Sequence, residues 1–325
     1  MRIVWRAVAA VGLITGAALP AAAQSPAAYP TRPITMIVPF ATGGSVDAVA
    51  RVLKPHLERD LGQPIVLDYR PGGATTLGAA AVARARPDGY TLGIVVEAFA
   101  VNPGLYRSLP YDTLADLVPV TLIGVSPIVI AVNAASPHDT LPKLIAAARA
   151  RPGTMSYATV GAGSMNHLAA ELLSRAAEIR LIHVPYRGGG PAVTDLIGRH
   201  VDMMMMSVAL ARPHLDSGAL RALAVASERR LPALPQVPTA TEAGVPGLQA
   251  SAWQAVVAPA GTPREVVERV QRAYRGALEV AGVREALGNL GMVVVASSPD
   301  AFGAFLRAEI ETWGRVVREA NIRPE

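Results

Sequence analysis

Residues 34–61 read ITMIVPFATGGSVDAVARVLKPHLERDL, and this stretch decides the fold. The apolar run 34–40 predicts a strand, and the small residues 41–45, called loop one below, predict a turn. Apolar residues then recur every three or four positions, which predicts a helix over 46–61 that ends at Gly62. Strand, glycine-rich loop and helix in this order are typical of α/β proteins.

The same unit recurs along the whole chain. The further predicted strands are 65–68, 90–96, 128–132, 155–159, 180–185, 201–207, 220–226, 253–258 and 292–295. The further predicted helices are 77–84, 141–150, 166–176, 192–197, 264–280 and 300–320. Strands that alternate with helices predict parallel sheets with crossover helices, arranged as two α/β lobes.

Length and composition exclude several classes of protein. The 325 residues suggest two domains, and 51% hydrophobic residues provide ample material for a core. The absence of cysteine excludes disulfides, thiolate metal sites and a cysteine nucleophile. The net charge is +5, but lysine occurs only at Lys54 and Lys143, and aromatic residues make up only 5%. A nucleic-acid partner is therefore not expected.

Residues 1–23 have the organisation of an export signal. Arg2 and Arg6 precede the uncharged apolar run 7–19, and a small-residue cleavage site ends at Ala23. The apolar run is shorter than the roughly 20 residues that a spanning helix needs. We therefore predict a cleavable signal peptide, not a membrane anchor, and a periplasmic location for the mature chain.

Loop one and a second glycine loop, residues 160–164 (loop two), have the composition of anion-binding loops. Glycine allows a ligand to approach the backbone closely, and a helix N-terminus attracts negative charge. In open α/β sheets such loops lie at the carboxyl ends of strands, where ligands bind. Thr42, Ser45, Thr159 and Ser164 add hydroxyl donors. The alternative is that these glycines only make tight turns between strand and helix.

Motifs for cofactor or metal chemistry are missing. Loop two begins like a dinucleotide-binding fingerprint, but Asn166 stands where the third glycine belongs. Neither lysine belongs to a phosphate-binding loop, and the six histidines lack the spacing of a zinc site. We therefore expect no cofactor and no metal. Ser164 and His167 are a possible nucleophile and base of a serine hydrolase, but no nearby carboxylate stands out as the one that would orient the histidine, which favours a structural histidine.

Several single residues allow two interpretations. Asp47 and Arg51 lie four positions apart and form either a surface ion pair or a brace for loop one. Arg187 either clamps a carboxylate or is solvated. Glu97 either accepts a hydrogen bond from a ligand amine or caps a helix. The run Met203–Met206 predicts a buried strand, although one or two of its side chains are candidates for a pocket wall.

Several motifs in collinear order carry a family resemblance. They are YPTRPI (29–34), VPFATGGSVD (38–47), PDGYTL (87–92), LPYD (109–112), YATVGAGS (157–164), HVPYRG (183–188), VPT (237–239) and APAGTP (258–263). With them the chain resembles the Bug family, the TctC-like extracytoplasmic solute receptors of tripartite tricarboxylate transport systems. Thr42 and the residues around Ala74 depart from the commoner family pattern. Glu97 stands in a stretch that is often neutral and either disfavours a second carboxylate or selects an amine.

The resemblance implies a type II periplasmic-binding-protein fold, in which two Rossmann-like lobes are joined by a hinge and enclose an interlobe ligand cleft. It implies a first part of lobe 1 over 24–125, lobe 2 over 126–250, and a return to lobe 1 over 251–325. The candidate ligand-binding residues are Phe40, Thr42, Gly43, Gly44, Ser45, Ala74, Glu97, Thr159, Gly161, Gly163, Ser164, His167, Arg187 and Met205, with Asp47 behind loop one.

The expected function follows from the same resemblance. The chain is expected to capture a small organic anion (a di- or tricarboxylate, an acidic amino acid or an aromatic acid) as a monomer without catalysis. It would deliver this ligand to the permease subunits of a tripartite tricarboxylate transporter. The alternative of the same fold is a sensor that presents its ligand to a membrane kinase.

Overall fold

The computed structural model describes residues 29–161, 163–186 and 188–323. The predicted signal peptide and Arg187 lie outside the described residues. Among the helices that are described, none has the length and hydrophobicity required to cross a membrane.

The described residues form ten strands and ten α-helices. The strands are β1 Ile34–Val38, β2 Ile65–Tyr69, β3 Thr91–Val96, β4 Leu117–Asn133, β5 Ser156–Thr159, β6 Ile182–Pro185, β7 Met203–Ser207, β8 Leu220–Val225, β9 Ser251–Pro259 and β10 Val293–Val294. The helices are α1 Ser45–Leu61, α2 Thr76–Ala83, α3 Ala98–Leu105, α4 Leu141–Ala150, α5 Met165–Ala176, α6 Gly189–Ile197, α7 Val208–Asp216, α8 Arg264–Glu279, α9 Ala281–Asn289 and α10 Pro299–Glu319.

Helix α1 follows from its sequence pattern. Its apolar side chains are buried along one face, and they include Val49, Leu53 and Leu57. Gly62 ends the helix in the left-handed conformation, with φ of 69°, and its N–H donates to the carbonyl of Glu58. Glycine adopts this conformation without steric cost, which explains why the helix stops there.

The sheet is mixed, whereas the sequence predicts parallel sheets. The strand order is β2-β1-β3-β9-β4-β7-β5-β6, and β8 and β10 also pair with β4. The pairs among β1, β2 and β3 and among β5, β6 and β7 are parallel, as predicted. Every pair formed by β4 or β9 is antiparallel, so the parallel prediction is wrong for these central strands.

Strand β4 joins the two parallel parts of the sheet. Its first part pairs with β9 and β10, and its last part, from Ile128 onwards, pairs with β7 and β8. The sequence predicts only this last part, because Pro119 and Gly124 interrupt the strand pattern where the register shifts. The predicted lobe boundaries, 125/126 and 250/251, lie beside this change of partner and stay predictions.

Helices α3, α7 and α9 were not predicted. Each has only eight or nine residues, and α3 and α7 contain Pro103 and Pro213, which are unfavourable inside helices. The methionine run is the buried strand β7, as predicted. Met203 and Met205 pack into one hydrophobic cluster and Met204 and Met206 into another, as the alternation of side chains along a strand requires.

Candidate functional site

Loop one is held from behind by a buried carboxylate. Asp47 is 3% exposed, and its Oδ2 accepts a hydrogen bond from the N–H of Gly43 at 2.8 Å. Its Oδ1 accepts from the hydroxyl of Tyr69 at 2.6 Å, and Arg51 Nε donates to both oxygens. The hydrogen bonds from Tyr69 and Gly43 hold the pKa of Asp47 at about 2. Asp47 therefore stays ionised and fixes the backbone of the loop.

The N-terminus of α1 is open at this loop. The residue before the helix is Gly44, which has no side chain to cap the first turn. The residues of loop one are exposed, Thr42 and Ser45 among them. Backbone N–H groups of a first helical turn have no partner within the helix and carry a partial positive charge. Loop one therefore presents donors that suit an anion.

A cavity of about 250 Å³ lies against this helix N-terminus. Its lining residues come from loop one, α1, the end of β3, the central strands β4 and β9, and the segments that follow β7 and α9. They are Phe40, Gly44, Ser45, Val46, Val49, Val96, Glu97, Ser126, Ser207, Ala209, Ala252, Trp253, Gln254, Leu290 and Met292. Both parts of the sheet therefore contribute to one cavity, which suits a small ligand.

Glu97 is the charged residue of this lining. Its Oε2 accepts a long hydrogen bond of 3.4 Å from the N–H of Trp253. Burial raises the pKa of Glu97 to about 7, and the nearby carboxyl of Glu309 adds to this effect. Lysine, arginine and histidine are absent from the described lining, so no cation offsets the charge of Glu97 inside the cavity.

Loop two is closed by its own hydrogen bonds. The hydroxyl of Ser164 donates to the carbonyl of Gly161 at 2.7 Å and accepts from the N–H of His167, which caps α5. The N–H of Gly163 donates to Nδ1 of His167 at 3.1 Å. Thr159 is fully buried, and its hydroxyl contacts Nε2 of His183 at 2.7 Å.

These contacts do not form a nucleophile–base pair. The hydroxyl of Ser164 bonds to backbone atoms, and Nδ1 of His167 is occupied by the N–H of Gly163. The imidazole of His167 stacks on that of His183 with ring centroids 4.0 Å apart. Burial, with a further contribution from His183, lowers the pKa of His167 to about 4, so His167 is neutral near pH 7. Oε1 of Glu171 lies 4.0 Å from Nε2 of His167, so the expectation that no carboxylate lies nearby is wrong, but Ser164 still makes no hydrogen bond to the imidazole.

Ala74 lies in a strained turn that contacts α3. Ala74 and Thr75 have φ of 47° and 74°, values that residues other than glycine rarely adopt. The carbonyl of Ala74 accepts a hydrogen bond from Nδ2 of Asn102 on α3 at 3.0 Å. At the end of the same helix, Leu105 lies so close to Gly163 that an added Cβ would come within 3.0 Å of it. Helix α3 therefore connects the Ala74 turn with loop two.

The structure brings some of the predicted site residues together and leaves others apart. Phe40, Gly44, Ser45 and Glu97 line the cavity. The predicted residues that are described but do not line it are Thr42, Gly43, Ala74, Thr159, Gly161, Gly163, Ser164, His167 and Met205. The side chain of Met205 is fully buried in the core, and its carbonyl accepts a hydrogen bond from Asn166. Whether both loops grip one ligand stays a prediction.

Sequence reasoning missed several polar residues of the cavity, namely Ser126, Ser207 and Gln254. Ser207 is the last residue of the predicted strand 201–207, and this position at a strand end is a signal that the sequence contains. Ser126 and Gln254 lie inside the crossing strands β4 and β9, and no local pattern marks them. Within the described residues, no group of three or more histidine, aspartate or glutamate side chains is placed to hold a metal ion.

Comparisons with known proteins show the family of the chain. Residues 49–322 match the model of the tripartite tricarboxylate transporter family receptor, TctC. The chain is 41% identical over 301 residues to the UPF0065 protein in the tcbD-tcbE intergenic region of Pseudomonas sp. strain P51, covering 92% of this chain and 90% of the relative. It is 40% identical over 320 residues to protein BugT of Bordetella pertussis strain Tohama I, covering 98% of each.

Solved structures show the same fold. The periplasmic binding protein BugD has a TM-score of 0.76 and 31% identity, over 91% of this chain and all of that one. Rpa4515 of Rhodopseudomonas palustris, solved with adipate, has a TM-score of 0.79 and 34% identity, with the same coverage. MatC of the same organism, solved with bound malate, has a TM-score of 0.75 and 34% identity, over 89% of this chain and all of that one. The predicted periplasmic-binding-protein fold is confirmed.

Proposed function

Because the chain belongs to the tripartite tricarboxylate transporter receptor family, we propose that it is a periplasmic solute-binding protein that holds the carboxylate of a small organic acid at loop one. The observation that carries this proposal is the cavity at the uncapped N-terminus of α1. The adipate and malate in the related structures support the ligand class.

The chemistry of loop one suits a carboxylate. Backbone N–H groups of the first turn of α1 and the hydroxyl of Ser45 are available donors, and Asp47 keeps the loop in one conformation. Arg51 offsets the charge of Asp47, so this buried carboxylate does not repel an anion at the loop. The loop thus presents hydrogen-bond donors in fixed positions, and the ion pair of Asp47 and Arg51 behind it carries no net charge.

Loop two completes the site when the lobes close around the ligand. The cavity lies beside β4 and β9, the strands that connect the two parts of the sheet, and a rotation about them would bring the opposite walls together. The closed form is then the one that permease subunits recognise. The protein works in this cycle as a periplasmic monomer and without catalysis.

The test uses ligand-free protein and a panel of mono-, di- and tricarboxylates and amino acids. Binding is followed by calorimetry, by thermal unfolding and by the fluorescence of Trp253, which lines the cavity. A ligand present at a hundred times its Kd should add about 2.7 kcal/mol to the free energy of unfolding. If no member of the panel binds, the proposed function is wrong.

Gly44→Ala makes this test specific to loop one. An added Cβ would meet only the carbonyl oxygen of Ala41, at 3.9 Å, so the fold should tolerate the change. We expect the affinity to fall about tenfold or more, because the methyl group hinders close approach of the carboxylate to the backbone. Gly276→Ala on α8 is the matched control, since Gly276 is exposed and has open space around it. It should leave the affinity unchanged.

A further inference from the structure

Glu97 and Gln254 form a pair of acceptors on one wall of the cavity. Glu97 directly follows β3, and Gln254 on β9 pairs with Val96 at the end of β3, so the two side chains start from neighbouring backbone positions. Both residues line the cavity at loop one.

The protein leaves hydrogen-bonding capacity unused at both residues, and most clearly at Gln254. Gln254 is 7% exposed, and among the described residues its Oε1 has no hydrogen-bond partner. The carboxylate of Glu97, which is half-buried, accepts hydrogen bonds from its own backbone N–H and, at a long 3.4 Å, from the N–H of Trp253. A buried acceptor without a partner is costly, and such a group at a cavity indicates that a ligand supplies the donor.

The surroundings favour a positively charged donor. The other carboxyl that influences the charge of Glu97 is that of Glu309 on α10, whose Oε2 already accepts from the indole N–H groups of Trp253 and Trp313, at 2.8 and 2.9 Å. Since the described lining contains no cationic side chain, a second ligand carboxylate at this wall would meet a like charge. An ammonium group offers three donors and the opposite charge.

We propose that Glu97 and Gln254 select a ligand that carries an ammonium group as well as a carboxylate, that is, a small amino acid in its zwitterionic form. The carboxylate lies at loop one and the ammonium contacts Glu97 Oε1 or Oε2 and Gln254 Oε1. This inference rests on the proposed function of loop one and adds the class of ligand to it. The cavity volume of about 250 Å³ limits the ligand to a small molecule.

The binding test compares ligands matched in length that differ at one end. One set is γ-aminobutyrate, butyrate and glutarate, and a second set is β-alanine, propionate and succinate, measured by calorimetry at pH 8. We expect the amino member of at least one set to bind about 10- to 100-fold more tightly than its unaminated partner, as a charge-assisted hydrogen bond allows. If the dicarboxylates bind as tightly or more tightly, the inference is wrong while the proposed function stands. If no acid of any kind binds, both are wrong.

Glu97→Gln should reverse this preference. It removes the charge and keeps the shape, so the amino acid should lose about tenfold or more in affinity and the dicarboxylate should gain. Glu311→Gln on α10 is the matched control, because the side chain of Glu311 is 78% exposed and does not line the cavity, and it should leave the preference unchanged. An unchanged preference in Glu97→Gln would overturn the inference.

A measurement on the unaltered protein covers the case in which Glu97→Gln does not fold. Glu97 gains its charge as the pH rises through about 7, and Glu309 is the other carboxyl that acts on it. Amino acid affinity should therefore rise between pH 6 and 8.5, and dicarboxylate affinity should fall. Parallel pH profiles for the two ligand types would contradict a role for Glu97 in selection.

Discussion

Loop one and loop two each follow a strand, contain two glycines and precede a helix. They differ in whether side chains of the protein accept hydrogen bonds from the backbone N–H groups at the start of the helix. Loop one is exposed, its helix begins at a glycine without a cap, and the buried Asp47 holds it from behind. Loop two is partly buried, Ser164 caps its helix, and the ring of His167 accepts the N–H of Gly163.

The difference predicts that a glycine-rich loop at a helix start is not by itself sufficient for an anion site. Such a site needs N–H groups that the protein itself leaves unused, as P-loop-like arrangements do. Loop one meets this condition. In loop two the side chains of His167 and Ser164 already accept from the N–H groups of Gly163 and His167 in the observed conformation.

Loop two should account for the largest measurable effect, a loss of stability in acid. His167 has a pKa of about 4 in the folded protein, against 6.5 for an ordinary histidine, because it is buried beside His183. The unfolded chain therefore takes up the proton first as the pH falls below 6.5. The contribution of His167 to stability is complete above pH 6.5 and is lost by pH 4, at a cost of about 3 kcal/mol.

Denaturant unfolding of His167→Gln between pH 7 and 4.5 measures this effect. The glutamine keeps an acceptor near Gly163 but does not titrate, so the acid-dependent part of the loss should shrink. The other ionisable groups that face the ring, His183, Glu171 and Tyr157, remain in both proteins. His200→Gln is the control, since the side chain of His200 is 73% exposed. Equal acid slopes for His167→Gln and the parent protein would contradict the assigned role.

The sequence predicts the elements around loop one well and their pairing less well. Helix α1 was predicted one residue short, because its apolar period and Gly62 are local signals. The antiparallel pairing of β4 with β9 joins residues that lie more than a hundred positions apart, and no local pattern encodes it. The first part of β4 was missed because Pro119 and Gly124 resemble loop residues.

In the candidate site, too, residues with a local sequence signal are predicted and residues placed by strand pairing are not. The glycines of loop one predict a ligand-binding loop, and this loop does line the cavity. Gln254 has no signal of its own, because it enters the cavity only through the register that places it opposite Val96. The hydrogen bond from Gly163 to His167 likewise depends on side-chain positions that the two residue types do not determine.

We expect the hydrogen bonds of Asp47 to loop one to control the affinity for the ligand. Asp47→Ala removes the acceptor for Gly43 and Tyr69, so the loop loses its fixed conformation, and we expect the affinity for the best carboxylate to fall by about tenfold or more. Calorimetry on the folded variant measures this change. Asp195→Ala is the control, because Asp195 accepts from the hydroxyl of Tyr186 in a similar pair that does not line the cavity. Equal affinity losses in both variants would show that Asp47 has no special role in binding.

The smallest effect belongs to Ser164→Ala in loop two. Loss of the cap of α5 should lower the free energy of unfolding by about 1 kcal/mol, measured by urea denaturation. Ser298→Ala removes the corresponding cap of α10, outside the cavity, and should cost about the same. Because Ser164 bonds to backbone atoms and not to the imidazole of His167, the variant should change no rate of ester hydrolysis. If purified protein hydrolyses an ester and Ser164→Ala abolishes this activity, loop two is a catalytic site. The difference between the two loops would then reflect catalysis by Ser164 and not its role as a helix cap.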